Sequence, residues 1–323
     1  MDYCLQVAWI AGTKAITEQS NFMFSPLGLR AGLALLATGT DGETLRQLLA
    51  FLGSQHIHQL NAASAGLLAE MRAWPQLSFA AGIFVDRSLR LRPEFQSTAA
   101  AAHGAFPRSV DFQNQANAAA AEDAIRRQVR RPRVPRSSSS FYKIGGTRRP
   151  GPLRGAPAFC MLVFLPIKRD GLRHLLRMAV TEPDFVMRCV PRSEQEVSPC
   201  MVPKFKFSSE LDARGALAKL GLGAPFDPLA ADLSRMAVSV NTPPERLYVS
   251  AMRQKCAVEV DEEGTTAVEA TYSCCSPTYS GPESPKPRPM SFVAEHPFMF
   301  AIVEYEKAQV LFLGHVMDPS NEE

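Results

Sequence analysis

Three groups of residues are of a type and spacing that could do chemistry. His56 and His58 lie two apart. A metal site needs at least a third ligand, and no Cys, Asp or Glu stands near enough in sequence to supply it. A solvated helix start accounts for the pair. Cys274 and Cys275 are adjacent. Exposed neighbouring thiols are reactive only where the thiolate is stabilised, and no Cys-x-x-Cys spacing accompanies them. Such a pair is read as incidental. The third group is a run of arginines from Arg126 to Arg154. Arginine clusters attract phosphate, so nucleic-acid binding is one reading of 126–154. Arg126-Arg127 with Arg130-Arg131 also fits a weakly specific nuclear-targeting pattern. Against this, only Phe141 and Tyr142 offer aromatic rings, and no zinc-finger or helix-turn-helix pattern occurs. The reading preferred here is a solvated basic insert without a nucleic-acid partner. No Gly-x-Ser-x-Gly elbow, His-Glu-x-x-His helix or phosphate loop is present. The sequence therefore predicts no enzyme, no metal and no cofactor.

The charge distribution isolates that insert. The chain of 323 residues carries a net charge of +3. Between Ala124 and Arg169 there is no Asp or Glu, yet twelve of the 35 Lys and Arg residues fall there. The remaining 23 basic residues face 32 acidic ones, so an acidic globular protein contains one basic block. Blocks of this kind are unstructured or bind polyanions. The seven cysteines are odd in number and irregularly spaced. With no basic-then-apolar leader over residues 1–13, reduced thiols in a cytoplasmic or nucleocytoplasmic setting are expected. No run of 18 uninterrupted apolar residues occurs, so no membrane span is expected.

Around these residues the elements read as follows. An apolar stretch at 22–24 precedes Ser25 as N-cap and Pro26 at the first helical position. A helix buried on every side follows over 27–38. Helices ending at Gly53 and covering 59–72 come next. A strand is expected at 77–85 and another at 110–112, with a helix opened by Pro93 and an Ala-rich helix at 115–130. Residues 131–157 hold five prolines, four consecutive serines and no apolar period, and read as loop. Strands return at 159–165, 201–207, 247–260, 297–305 and 310–316, with helices at 170–178 and 211–220. Helices first and strands later predict an α+β fold. It is read as a single domain over 1–323. Within it, residues 1–130 form an N-terminal helical region, 131–157 a basic Pro/Arg/Ser-rich segment and 158–323 a strand-rich C-terminal region. Limited trypsin digestion should therefore cut within 131–157 before anywhere else, read as two fragments on a gel. Protection of the segment's arginines would contradict this.

Four blocks carry a family likeness. They are Asn21-Phe-Met-Phe-Ser25-Pro26-Leu27 with Leu36-Ala-Thr-Gly39-Thr-Asp-Gly42-Glu-Thr44; Val202-Pro-Lys-Phe-Lys-Phe207 with Ala216 to Leu222 and Ala231-Asp-Leu-Ser234; Val258-Glu-Val-Asp-Glu-Glu-Gly264-Thr-Thr-Ala-Val-Glu-Ala-Thr271; and Phe292-Val-Ala-Glu-His-Pro-Phe298-Met-Phe with Leu311-Phe-Leu-Gly314-His-Val-Met-Asp-Pro319. Together they resemble the serpins, the plant serpin-Z type above all. The departure is Glu295, where the family usually has Asp or Asn.

The resemblance implies helices around three β-sheets with an exposed reactive loop, here about 262–291. It implies a monomer, a serine or cysteine protease as partner, and the extracellular space as a second location. The implied mechanism is suicide inhibition: a protease cuts the loop, is held as an acyl-enzyme, and the loop enters the main sheet as a new strand. The hinge would be Glu262, Glu263, Gly264, Thr265, Thr266, Ala267, Val268, Glu269, Ala270 and Thr271, and the scissile bond Thr278–Tyr279. Alternate residues of an inserting strand face the core. The face beginning at Thr265 should be small and neutral, but it includes Glu269. Burying a lone carboxylate costs several kcal/mol even after it takes up a proton. Five prolines in 276–289 also resist the extended fit of a protease cleft.

The family further carries a strand beside the insertion slot, with the phrase Asn-Ala-x-Tyr-Phe-Lys-Gly and a Trp. This chain has no Asn between Asn117 and Asn241, and its tryptophans are Trp9 and Trp74. The expectation is a serpin with its central stretch missing or replaced, ancestrally a protease inhibitor and non-inhibitory here. A working inhibitor is the alternative.

Overall fold

The computed structural model describes residues 3–72, 80–112, 159–190, 197–241, 246–260, 290–304 and 307–321. The chain begins with α1 (Tyr3–Thr17) and a three-residue strand β1 (Phe22–Phe24), then α2 (Pro26–Thr38), α3 (Gly42–Leu52) and α4 (Ile57–Arg72). Two short strands follow, β2 (Phe84–Asp86) and β3 (Leu89–Leu91), then α5 (Pro93–His103) and β4 (Arg108–Val110). After 113–158 come β5 (Phe159–Phe164), α6 (Leu172–Thr181), α7 (Phe185–Arg188), β6 (Val197–Met201), β7 (Phe205–Asp212) and α8 (Arg214–Lys219). The final strands are β8 (Ala237–Ser239), β9 (Arg253–Val260), β10 (Met290–Val293), β11 (Phe298–Glu304) and β12 (Gln309–Val316).

Local chemistry sets these elements. At α2 the Ser25 hydroxyl accepts from the Gly28 amide at 3.0 Å, and Pro26 occupies the first turn, where its missing N–H costs nothing. The helix that follows is apolar nearly all round, and Leu29, Leu33, Ala34, Leu35 and Ala37 are buried. At the end of α3, Gly53 takes the left-handed conformation (φ 66°) that closes the last turn through its amide. In α6, Leu172, Leu176, Ala179 and Val180 form the buried stripe, while Arg173 and Arg177 stay in water.

One sheet has four strands in the order β1, β12, β11, β5, all antiparallel. It brings together residues from near both ends of the chain and from its middle. Strand β12 lies between β1 and β11, and its Gly314 is paired with Met23 on one side and Phe300 on the other. A Cβ there would strike the Phe22 carbonyl oxygen and come within 2.8 Å of the Phe300 ring, so no side chain fits. Facing this sheet, β7 and β9 form an antiparallel ribbon. Phe205 and Phe207 of the ribbon pack edge-on and tilted against Phe298 and Phe300 of β11, sealing a second core with Met23, Met161 and Cys256. The remaining pairs are β2 with β4, β3 with β8, and β6 with β10.

Several sequence expectations change. The opening helix α1 was not anticipated: Cys4, Val7, Ala8, Gly12 and Ala15 form its buried stripe, but the rest of the helix is mostly apolar and half-buried, which masks the period. The strand expected over 77–85 starts only at Phe84, residues 80–83 being irregular, and 77–79 lie outside the described residues. The strand expected at 110–112 is Arg108–Val110. The single strand expected at 201–207 is two, β6 and β7, separated by residues 202–204 around Pro203, whose missing amide suits a break. The helix expected at 211–220 shrinks to Arg214–Lys219, because Leu211 and Asp212 prolong β7 opposite Gln254 and Arg253. The strand expected at 247–260 begins at Arg253. The helix expected at 115–130 and the segment 131–157 lie outside the described residues.

Candidate functional site

The strand that leads toward the reactive-loop segment is β9. It ends at Val260, and the next described residue is Met290, in β10. All of the hinge, Glu262 through Thr271, and the bond Thr278–Tyr279 fall between, outside the described residues. The geometry that can be read is that of the strand and its setting.

β9 alternates cleanly. Arg253, Lys255, Ala257 and Glu259 are exposed, whereas Gln254, Val258 and Val260 are half-buried and Cys256 is buried. The outer face is laced to β7 by Lys206–Glu259 at 3.1 Å and Arg253–Glu210 at 3.8 Å. Both pairs are more than half exposed on at least one side and contribute little. The inner face does the holding. Burial pushes the Cys256 thiol up to about 12, so it is an inert core group. Burial likewise raises Cys160, on β5, to about 11.

Gln254 makes the most specific contact. Its Oε1 accepts from the Ser25 amide at 2.9 Å and its Nε2 donates to the Ser25 carbonyl at 3.0 Å. The Ser25 hydroxyl donates to the Leu311 carbonyl at 2.8 Å while accepting from Gly28. One joint, β1 to α2, is thereby fastened both to the loop-bearing strand and to the four-stranded sheet. The sequence marked Ser25 as a helix cap. Its second role, and Gln254 altogether, escaped that reading, because contacts spanning 229 and 286 residues leave no local pattern.

Strand insertion needs a strand on each side of the slot. Among the described residues, β9 is laddered to β7 alone, and β2 to β4 alone. The β7–β9 and β2–β4 ribbons are therefore separate, with no described strand joining them. As for the other sequence candidates, the rings of His56 and His58 stack at 5.3 Å on an exposed stretch, and no group of three metal-capable side chains occurs among the described residues. None of the described helices is long and apolar enough to cross a membrane.

The described residues thus form a helical half packed on several sheets, with β9 followed in the chain by residues 261–289 and then β10. The chain belongs to the serpin (serine protease inhibitor) family, whose sequence profile matches residues 9–130 and 152–319. The unmatched stretch between falls inside the basic segment. Two rice (Oryza sativa subsp. japonica) relatives named as non-inhibitory serpins are similar over their whole length and over all of this chain: serpin-10 at 77% identity and serpin-Z11 at 64%. The alignment with serpin-10 runs over 394 positions, more than the 323 residues available here, so the relative carries stretches that this chain lacks. Among solved structures, Arabidopsis AtSerpin1 in its native stressed conformation superposes with a TM-score of 0.77 at 25% identity, covering 99% of this chain and 100% of that one.

Proposed function

We propose that this serpin does not trap proteases, and that its loop is an exposed segment without a trapping target. The observation that carries this is the single ladder partner of β9 among the described residues. A loop that enters a sheet gains its stability from two rows of backbone hydrogen bonds, one on each flank, plus burial of its inward face. Among the described residues no strand stands on the second flank, and without one, one of the two rows would have no partner, at ~1–3 kcal/mol for each buried unsatisfied group. Glu269, on the face that the family resemblance turns inward on insertion, would add a further penalty of several kcal/mol. A protease held at the acyl-enzyme stage is released by water unless insertion is fast, so the loop is cut as a substrate. The names of the two rice relatives support the same reading.

The test is incubation with trypsin-like, chymotrypsin-like and papain-like proteases, followed by denaturing electrophoresis. The expected outcome is cleaved protein and no band at the summed mass. A detergent-resistant complex that disappears when Thr278 and Tyr279 are replaced would overturn the proposal and restore the inhibitor reading. Specific, saturable binding of a defined DNA or RNA by the intact chain, lost when the arginines of 126–154 are neutralised, would favour the basic segment as the working region instead.

A further inference from the structure

The seam between β1 and β12 buries a titratable group. His315 stands opposite Phe22 in β1 and Met299 in β11 and has no solvent exposure. Its Nε2 lies 3.2 Å from the Ser20 carbonyl oxygen. A carbonyl only accepts, so the ring proton sits on Nε2. The other nitrogen, Nδ1, is buried and has no hydrogen-bond partner. As a bare lone pair it is tolerated. As an N–H of a cationic ring it would have nothing to receive it.

The next residue along the same turn holds the end of the chain. The Asn21 Oδ1 accepts from the Met317 amide at 2.8 Å and the Asp318 amide at 3.1 Å. Its Nδ2 donates to the Asp318 carbonyl at 2.7 Å and the Asn321 carbonyl at 3.1 Å. Ser20 and Asn21 together therefore grip 315–321 through one imidazole and one amide.

We propose that His315 is a proton-operated release for this C-terminal tail: a proton taken up on Nδ1 unseats the ring from the seam and frees residues 317–321 from Asn21. Among the described residues, no charged neighbour offsets that proton. β1 and β11 present Phe22 and Met299; Lys14 of α1 and Glu18 just after it are exposed and paired with each other at 3.7 Å; Arg30 of α2 is turned to the Leu52 carbonyl; and Asp318 is exposed, its carboxylate accepting from Ser320. Burial accordingly holds the ring well below its ordinary range, at about 4, and outweighs the Ser20 carbonyl, which acts in the opposite direction. A folded-state pKa below the unfolded value of about 6.5 means that the neutral ring's contribution is full above ~6.5 and is lost as the pH falls from there toward 4. Release thus belongs to acid conditions. His103 is also held at about 4 by burial, in a separate node with Thr38 and Asn61 at 3.1 Å each, so the test must tell a local release from a general loosening.

Amide exchange of the intact protein, followed by NMR between about pH 7 and about pH 4.5 and corrected for intrinsic rates, separates the two. Protection at Met317 and Asp318 should fall at least about tenfold, one pKa unit's worth of coupling, while Phe300 and Leu313 in the sheet stay protected. His315→Gln keeps the donor to Ser20 without the titration, and its tail should stay protected throughout. An equal fall in that variant, or tail and sheet amides falling together, overturns the proposal. If the variant does not fold, the ring resonances of His315 in the native chain decide: a titration midpoint matching that of tail release supports it, and a mismatch overturns it.

Discussion

Cutting the loop of this protein should leave its thermal midpoint within about 3 °C of the intact chain, the shift that less than ~1 kcal/mol produces in a domain of this size. The same should hold for Glu269→Ala. In a serpin that inserts its loop, cleavage raises the midpoint by tens of degrees, because the freed strand completes a sheet. Two obstacles stand in the way here, and they predict different results for the variant. If the carboxylate alone blocked entry, its removal would recover several kcal/mol and the cleaved variant would become far more stable. If the slot lacks a wall, no side-chain change can help. The separate β7–β9 and β2–β4 ribbons favour the second outcome. The measurement is calorimetry of native chain and variant, each intact and after proteolysis confined to 261–289. A large rise in the cleaved variant would mean that a working slot exists and that Glu269 was the whole defect.

The second large effect lies in the four-stranded sheet. Gly314→Val should abolish folding or destabilise by at least about 3 kcal/mol, at the upper end of what overpacking costs. The substituent would have to occupy space already held by the Phe22 carbonyl, which belongs to a hydrogen-bonded strand, and by the Phe300 ring. Neither can yield without opening the pairing of β12 with β1 or with β11. Phe300→Ala makes the comparison: it empties the same spot, is buried with no exposure, and should cost about 3–5 kcal/mol by loss of contacts. Denaturant unfolding of both variants checks the pair. If Gly314→Val unfolds at the native denaturant concentration, the strands there have more freedom than the close approach implies.

The sequence made some of this legible and hid the rest for physical reasons. The α2 start at Ser25-Pro26, the apolar run after it, and the closing strands around Phe300 and Leu313 are local patterns, and the structure has them. The family followed from four blocks in order along the chain. What was hidden depends on distant partners. Nothing near Gln254 shows that its amide meets the Ser25 backbone, and nothing near His315 shows that one of its nitrogens is orphaned. The late start of α8 depends on strand pairing with β9, which overrides helical propensity at Leu211. The unexpected α1 was missed because a helix that is mostly apolar outside its buried stripe has no polar face to betray its period.

The order of strands in the four-stranded sheet also bears on how the protein is made. β1 is synthesised almost first, and β5 near the middle, yet they are joined only through β12 and β11, which come last. At about 5–20 residues per second, β1 waits on the ribosome for tens of seconds with its aromatic residues Phe22 and Phe24 unsheltered. During that interval β1 lacks its described ladder partner, β12, and only contacts such as those with α1 and α2, or a chaperone, could cover it. Any message truncated before the last hairpin would yield a product unable to pair its first strand at all, and such a product should go to degradation and not persist as a folded fragment.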